Sequence, residues 1–227
     1  MCKLLPIVLL FVPMLALAAP TLKPERAVYS VLRDGKAIGE ASYTLSANPD
    51  GSFALRSETR GSAGMAKLFG LNVREESVFT LHEGTLQGLH YDYRQDAAIK
   101  HKQRHVDFDW QAGQVHVRDN GKDFQYAIVP GCIDRSAVAV ALGLAVATGE
   151  ISVTLPVAVR DRVESQRYVM RGEERTQVSA GTFTTSEVER TDTQGKAKSW
   201  YAPSLGVLPV RVQQQQHDHS IIVMERK

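Results

Sequence analysis

Residues 106–128 read VDFDWQAGQVHVRDNGKDFQYAI, and their alternation decides the fold. Val106, Phe108 and Trp110 alternate with Asp107 and Asp109, so an extended strand here carries apolar side chains on one face and charges on the other. Gln111-Ala112-Gly113 turns the chain and Val115 and Val117 return it. Asp119-Asn120-Gly121-Lys122 then supplies a two-residue hairpin before Phe124, Tyr126 and Ile128. Strands joined by turns this short form antiparallel sheet, because parallel pairing needs a long crossover.

The same pattern extends in both directions. Upstream, Val28, Ser30 and Leu32 lead into Asp34-Gly35-Lys36, and Ile38 to Leu45 return. Asn48-Pro49-Asp50-Gly51 turns into Phe53 to Thr59, and the His82-Glu83-Gly84 turn joins Val73 to Leu81 with Leu86 to Arg94. Downstream, Ile151, Val153, Leu155, Val157 and Val159 alternate strictly around Pro156, which favours an edge or bulged position. Strand pairs are expected over Glu164 to Arg171 and Glu173 to Ser179. Thr182 to Thr191, Ala197 to Tyr201, the Leu208-Val210-Val212 segment and Ile221 to Met224 complete about a dozen strands.

One segment breaks the alternation. Ala137 to Ala147 holds Ala, Val, Leu and one Gly, preceded by Asp134-Arg135-Ser136 and followed by Gly149. It predicts a single helix with Asp134 as its N-cap and Gly149 as its terminator. A helix apolar on every side belongs in a core. The predicted fold is therefore all-β (mainly β): a strongly curved antiparallel meander or incomplete barrel, with one apolar helix packed on its concave side.

Lys3 precedes the apolar run Leu4 to Leu17, closed by Ala16-Leu17-Ala18 before Ala19-Pro20, the pattern of a secretory signal peptide cleaved after Ala18. Export to the periplasm is expected, leaving residues 19–227 as one β-rich domain of 209 residues. That chain has 26 basic and 25 acidic side chains, a balance that recruits neither nucleic acid nor an anionic membrane by charge alone. The basic run Lys100 to His105 is followed at once by Asp107 and Asp109, and reads as a solvated strand face. No later apolar run approaches the length of a membrane-spanning helix. With Cys2 removed, Cys132 is the single cysteine, so no internal disulfide is available.

Few residues suggest chemistry. His217-Asp218-His219 could share a metal but lacks an evident third ligand, and His101 and His105 sit on strand-like sequence. No metal or cofactor is expected. Asp134 and Ser136 are accounted for by capping, no Gly-x-Ser-x-Gly elbow exists, and Cys132 reads as a small buried hydrophobe, so a non-enzymatic role is favoured over a hydrolase built on Ser136, Cys132 or His219. Residues 61–71 are not a phosphate loop, since Lys67 is not followed by Ser or Thr. Met65, Leu68, Phe69 and Leu71 either tuck over a barrel mouth or form a contact patch.

Tyr29, Gly35, Lys36 and Gly39, then Ser77-Val78-Phe79, Asp134-Arg135-Ser136, Gly181-Thr182-Phe183, Trp200-Tyr201-Ala202-Pro203 and Leu208-Pro209-Val210-Arg211 together resemble the bacterial family called domain of unknown function 3108. The resemblance implies an exported protein and a shared shape rather than a shared reaction. The expected role is binding of an apolar ligand, lipid or envelope component, in a cavity lined by Val106, Phe108, Trp110, Phe124 and Tyr126 with Met65, Leu68 and Phe69 at its mouth. The alternative is an envelope scaffold or protein-interaction module without a small ligand.

Overall fold

A computed structural model describes residues 21–62, 64, 70–98, 100–193 and 197–227. The leader segment and Met65, Leu68 and Phe69 lie outside the described residues. Among the described residues, fourteen strands form one antiparallel sheet. They are β1 (Glu25–Arg33), β2 (Lys36–Ala47), β3 (Phe53–Gly61), β4 (Asn72–His82), β5 (Thr85–Ala97), β6 (Lys100–Asp109), β7 (Gln114–Asp119) and β8 (Lys122–Ala127), then α1 (Val138–Ala147), then β9 (Ser152–Ala158), β10 (Val163–Val178), β11 (Gly181–Arg190), β12 (Ala197–Tyr201), β13 (Arg211–Gln215) and β14 (Ile221–Arg226). The spatial order is β8-β7-β6-β5-β4-β3-β2-β1-β14-β13-β12-β11-β10-β9, so two meanders meet where the first strand pairs the last.

The turns explain the meander. Asp34-Gly35, Glu83-Gly84 and Asn120-Gly121 all have positive φ at both positions (49° and 78°, 49° and 80°, 50° and 81°), the backbone of the tight hairpin turn whose twist matches the strands it joins. Pro156 sits on β9, an edge strand, as its missing N–H requires. Gly181 opens β11 at φ 137°.

One expectation is corrected. The expected pair over Glu164 to Ser179 is instead β10, one 16-residue strand ending at Val178 and bent by a register shift between Met170 and Glu173, where Gly172 has φ 107°. A glycine flanked by charge reads as a turn in sequence, yet here it makes a bulge. In β1 the buried face is Ala27, Tyr29 and Val31, while Val28, Ser30 and Leu32 are partly exposed.

The sheet curls around α1 without closing. Ala137, Val140 and Leu144 pack with Tyr29, Leu45, Leu55 and Phe79 of the first meander, while Leu142 and Val146 pack with Tyr168, Val188 and Tyr201 of the second. Both sides of an all-apolar helix are thereby removed from water. Thr148 ends the helix and Gly149 follows at φ 77°. The amides of Gly149 and Glu150 return to the carbonyls of Val146 (3.1 Å) and Ala145 (2.9 Å), which satisfies two terminal acceptors.

The edges β8 and β9 do not pair. Residues 132–133 stand between the sheet's two arms instead: Gly88 N donates to Cys132 O (2.9 Å), Ile133 N to Pro156 O (3.0 Å) and Ala158 N to Ile133 O (2.8 Å). The Tyr126 hydroxyl donates to Val159 O (2.6 Å) across the same seam.

Candidate functional site

The concave face carries a polar row that no single strand reveals. Tyr43, Ser57, Glu75, Tyr93, Arg104 and Asp119 are successive cross-strand partners from β2 to β7, so their side chains stand in line on one face. The turn before α1 adds Arg135 to this line. Its Nε donates to the Tyr91 hydroxyl (2.7 Å), which itself donates to Glu75 Oε2 (2.6 Å), and its guanidinium stacks 4.3 Å from the Tyr93 ring centroid. Arg104 donates to Asp119 Oδ1 (3.2 Å), and Arg160 pairs with Oδ2 of the same carboxylate (3.2 Å).

Beneath Arg135 the turn is fixed by Asp134, which is fully buried. Its Oδ1 accepts from Ser136 N (2.8 Å) and Ala137 N (3.1 Å), and its Oδ2 accepts from the Ser77 hydroxyl (2.5 Å). The helix proper has Ala137 at its N-cap position, without a side-chain cap. Asp134 therefore caps the turn leading into α1 rather than α1 itself, whose N-cap lies three residues later than expected. Burial raises its carboxyl to about 6, against the opposing pull of the Ser77 and backbone hydrogen bonds.

Between the polar row, the N-terminal half of α1 and strands β10 to β14 lies an interior cavity of about 660 Å³. Its apolar lining comes from Tyr29, Val138, Leu142, Tyr168, Val188, Tyr201, Val212 and Met224. Its charged lining includes Arg104, Arg135, Arg190 and Lys198 with Glu75 and Glu164, and Asp119, Asp192 and Glu187 pair with Arg104, Arg190 and Lys198 beside it. A larger hollow of about 740 Å³ crosses the outer face of β2 to β7. It is walled by ion-paired side chains such as Arg56 with Glu76 (2.7 Å) and Arg74 with Glu58 (3.0 Å), and offers an apolar ligand little.

The five expected lining residues within the described region come together, but elsewhere. Val106 and Phe108 are buried against Tyr91, Val115, Val117 and Cys132, with Trp110, Phe124 and Tyr126 packed on that cluster. Trp110 Nε1 is spent on Gly88 O (2.8 Å) and Tyr126 on the seam. The interior cavity is lined by other side chains. Arg104, read as part of a solvated basic run, turns inward. The signal missed was its place in the β6 alternation, two residues before Val106.

Cys132 is fully buried, and burial pushes its thiol up to about 12. A native sample should resist a thiol reagent such as 5,5′-dithiobis(2-nitrobenzoate) and react stoichiometrically once denaturant unfolds it; rapid native labelling contradicts this placement. His217, Asp218 and His219 form the β13–β14 turn, where Asp218 pairs with Arg33 and accepts from Ser220 N (3.1 Å).

Fold and site together define an incomplete β-barrel wrapped on one apolar helix, with a cavity opening at a polar rim. The chain belongs to the family described as "Protein of unknown function (DUF3108)", whose model matches residues 27–225. Among solved structures it is similar to the beta-barrel-like protein of domain of unknown function DUF1849 from Brucella abortus, at 12% identity and a TM-score of 0.52, over 91% of this chain and 98% of that one. No curated protein matches.

The quoted motifs now have contacts. Ser77 meets Asp134, and the Tyr29 hydroxyl donates to Pro209 O (2.7 Å). A Cβ on Gly39 would stand 2.4 Å from Arg60 O.

Proposed function

We propose that this chain is an exported, periplasmic binder of a single-chain amphiphile with an anionic head group. The observation that carries the reading is the 660 Å³ cavity, whose floor of Leu142, Val188, Tyr201 and Met224 suits an apolar tail while Arg135, Arg104 and Arg190 stand where a carboxylate or phosphate would emerge. That volume lies within the range of roughly 300–1,000 Å³ typical of small-molecule sites. Arg135 is half exposed and already oriented by Tyr91, Tyr93 and Glu75, so a head group meets a fixed donor. The signal-type leader supplies the address.

The test is calorimetric titration with palmitate and with hexadecanol. Palmitate should bind one to one. Arg135→Ala should weaken palmitate about tenfold, the scale of a lost charged hydrogen bond, and leave hexadecanol unchanged. Ala139→Trp, which fills the cavity from a partly exposed helix position, should abolish both at an unaltered circular dichroism spectrum. If neither probe binds and native mass spectrometry of the exported protein finds no lipid, the reading falls. Recovery of a protein partner in place of lipid would put an envelope interaction module in its stead.

A further inference from the structure

On the opposite, outward face of the sheet, β5 and β6 assemble a second group. His90 and Asp107 are cross-strand partners, and so are Asp92 and His105, giving a square of two imidazoles and two carboxylates. His90 Nδ1 is 2.9 Å from Asp107 Oδ1 and His105 Nε2 is 2.8 Å from Asp107 Oδ2. On the other side His90 Nε2 is 2.5 Å from Asp92 Oδ2 and His105 Nδ1 is 2.9 Å from Asp92 Oδ1. The ligating atoms of His90, Asp92 and His105 lie within 4.8 Å of one another.

Proton counting makes this square informative. Two neutral imidazoles own two N–H groups, but four nitrogen–oxygen contacts are made. If the N–H groups of His90 Nδ1 and His105 Nε2 both go to Asp107, then His90 Nε2 and His105 Nδ1 aim lone pairs at an anionic Asp92. Lone pairs from two nitrogens and a carboxylate converging on one point describe a cation site.

A backbone irregularity builds the group. Val78 pairs with His90 but Phe79 pairs with Gly88, so Leu89 is an extra residue. Leu86, Gly88 and Tyr91 are all buried, and the shift of one residue turns His90 outward beside Asp92. Gly88 is held in place by its own contacts, since a Cβ there would sit 2.8 Å from the Phe108 ring. Without the bulge His90 would face the core.

We infer that His90, Asp92 and His105 form a binding site for a divalent transition-metal ion of the zinc type, with Asp107 orienting the two imidazoles from behind. Two imidazole nitrogens and one carboxylate, with no thiolate, match the preference of zinc for mixed nitrogen and oxygen ligands and leave a coordination position open to solvent. Asp107 takes the role of the outer carboxylate that fixes the tautomer of a metal-bound histidine.

Equilibrium dialysis of the exported chain, purified without an affinity tag, against zinc alone tests this. One equivalent should bind. His90→Ala with His105→Ala should lower the affinity at least a hundredfold, and Asp107→Asn should lower it 10- to 100-fold at unchanged stoichiometry. His217→Ala with His219→Ala should leave the equivalent in place. On the unaltered chain, zinc should shift the ring resonances of His90 and His105 ahead of the other histidines, a readout independent of whether any variant folds. Absence of stoichiometric binding, or retention of full affinity in the His90/His105 double variant, overturns the inference. This site is independent of the interior cavity, so either can fail alone.

Discussion

Replacing Gly143 with alanine should lower the unfolding free energy by about 3 kcal/mol, although the same change in an exposed helix gains about 1 kcal/mol. A Cβ at position 143 would stand 2.0 Å from Val207 O and 2.7 Å from both the carbonyl carbon and the Cα of Val207. The obstacle is backbone, and that backbone is pinned. Glu25 Oε2 accepts from Val207 N (2.9 Å) and Leu208 N (3.2 Å), Tyr29 holds Pro209 O, and Val210 N donates to Trp200 O (2.7 Å).

Either α1 or the 202–210 loop must move, and each movement disturbs the packing of Leu208 against Ala137, Val140 and Leu144. For a domain of this size the loss corresponds to a fall in Tm of roughly 6–12 °C. Gly149→Ala provides the contrast. It strains a positive φ but meets nothing within 4 Å, so about 1 kcal/mol is expected. Urea denaturation of both variants measures the difference. A Gly143→Ala chain as stable as the parent would show that helix and loop do not touch.

This contact shows which parts of the fold were legible. The meander, the apolar helix and its glycine terminator are local patterns, and the sequence carries them in the alternation of residues 106–128, the two-residue turns and the unbroken apolar run. The face of β1 was not legible, because Val28 and Leu32 compete with Ala27 and Val31 and only packing against α1 chooses between them. Gly172 illustrates a different limit: bulge and turn ask the same residue of the chain.

The site was hidden by register. Glu75, Arg104 and Arg135 each look like a solvated charge within their own segment, and only the alignment of six strands places two of them in one row under the third. His90 was hidden twice. Its partners lie on another strand, and its outward direction depends on the extra residue Leu89, which leaves no mark in the pattern of apolar residues.

Asp134 gives the second large effect, and its sign changes with the substitution. Asp134→Ala strips the acceptor shared by Ser136 N, Ala137 N and the buried Ser77 hydroxyl, and should cost about 3 kcal/mol near pH 4, where the parent carboxyl is protonated, and less at pH 7. Asp134→Asn keeps an oxygen for the two amides and presents an N–H to Ser77, so the turn under Arg135 survives. Its stability relative to the parent should depend on pH.

In the parent the folded carboxyl titrates near 6 and the unfolded one near 4, so between these values the folded state binds more protons. Stability from this group is thus full below about pH 4, falls as the pH rises to about 6, and is level above. The neutral asparagine feels none of this. The variant should therefore gain on the parent by about 3 kcal/mol between pH 4 and pH 7, as an upper bound for a group this buried. Taking the difference between the two proteins cancels the carboxylates that titrate in the opposite sense, such as Asp92, Asp107 and Asp192. Ser77→Ala removes a hydrogen bond that favours the charged form, and should move the break to higher pH. A difference curve flat from pH 4 to pH 7 would mean that Asp134 reaches water, and that the turn carrying Arg135 is not built on a buried carboxyl.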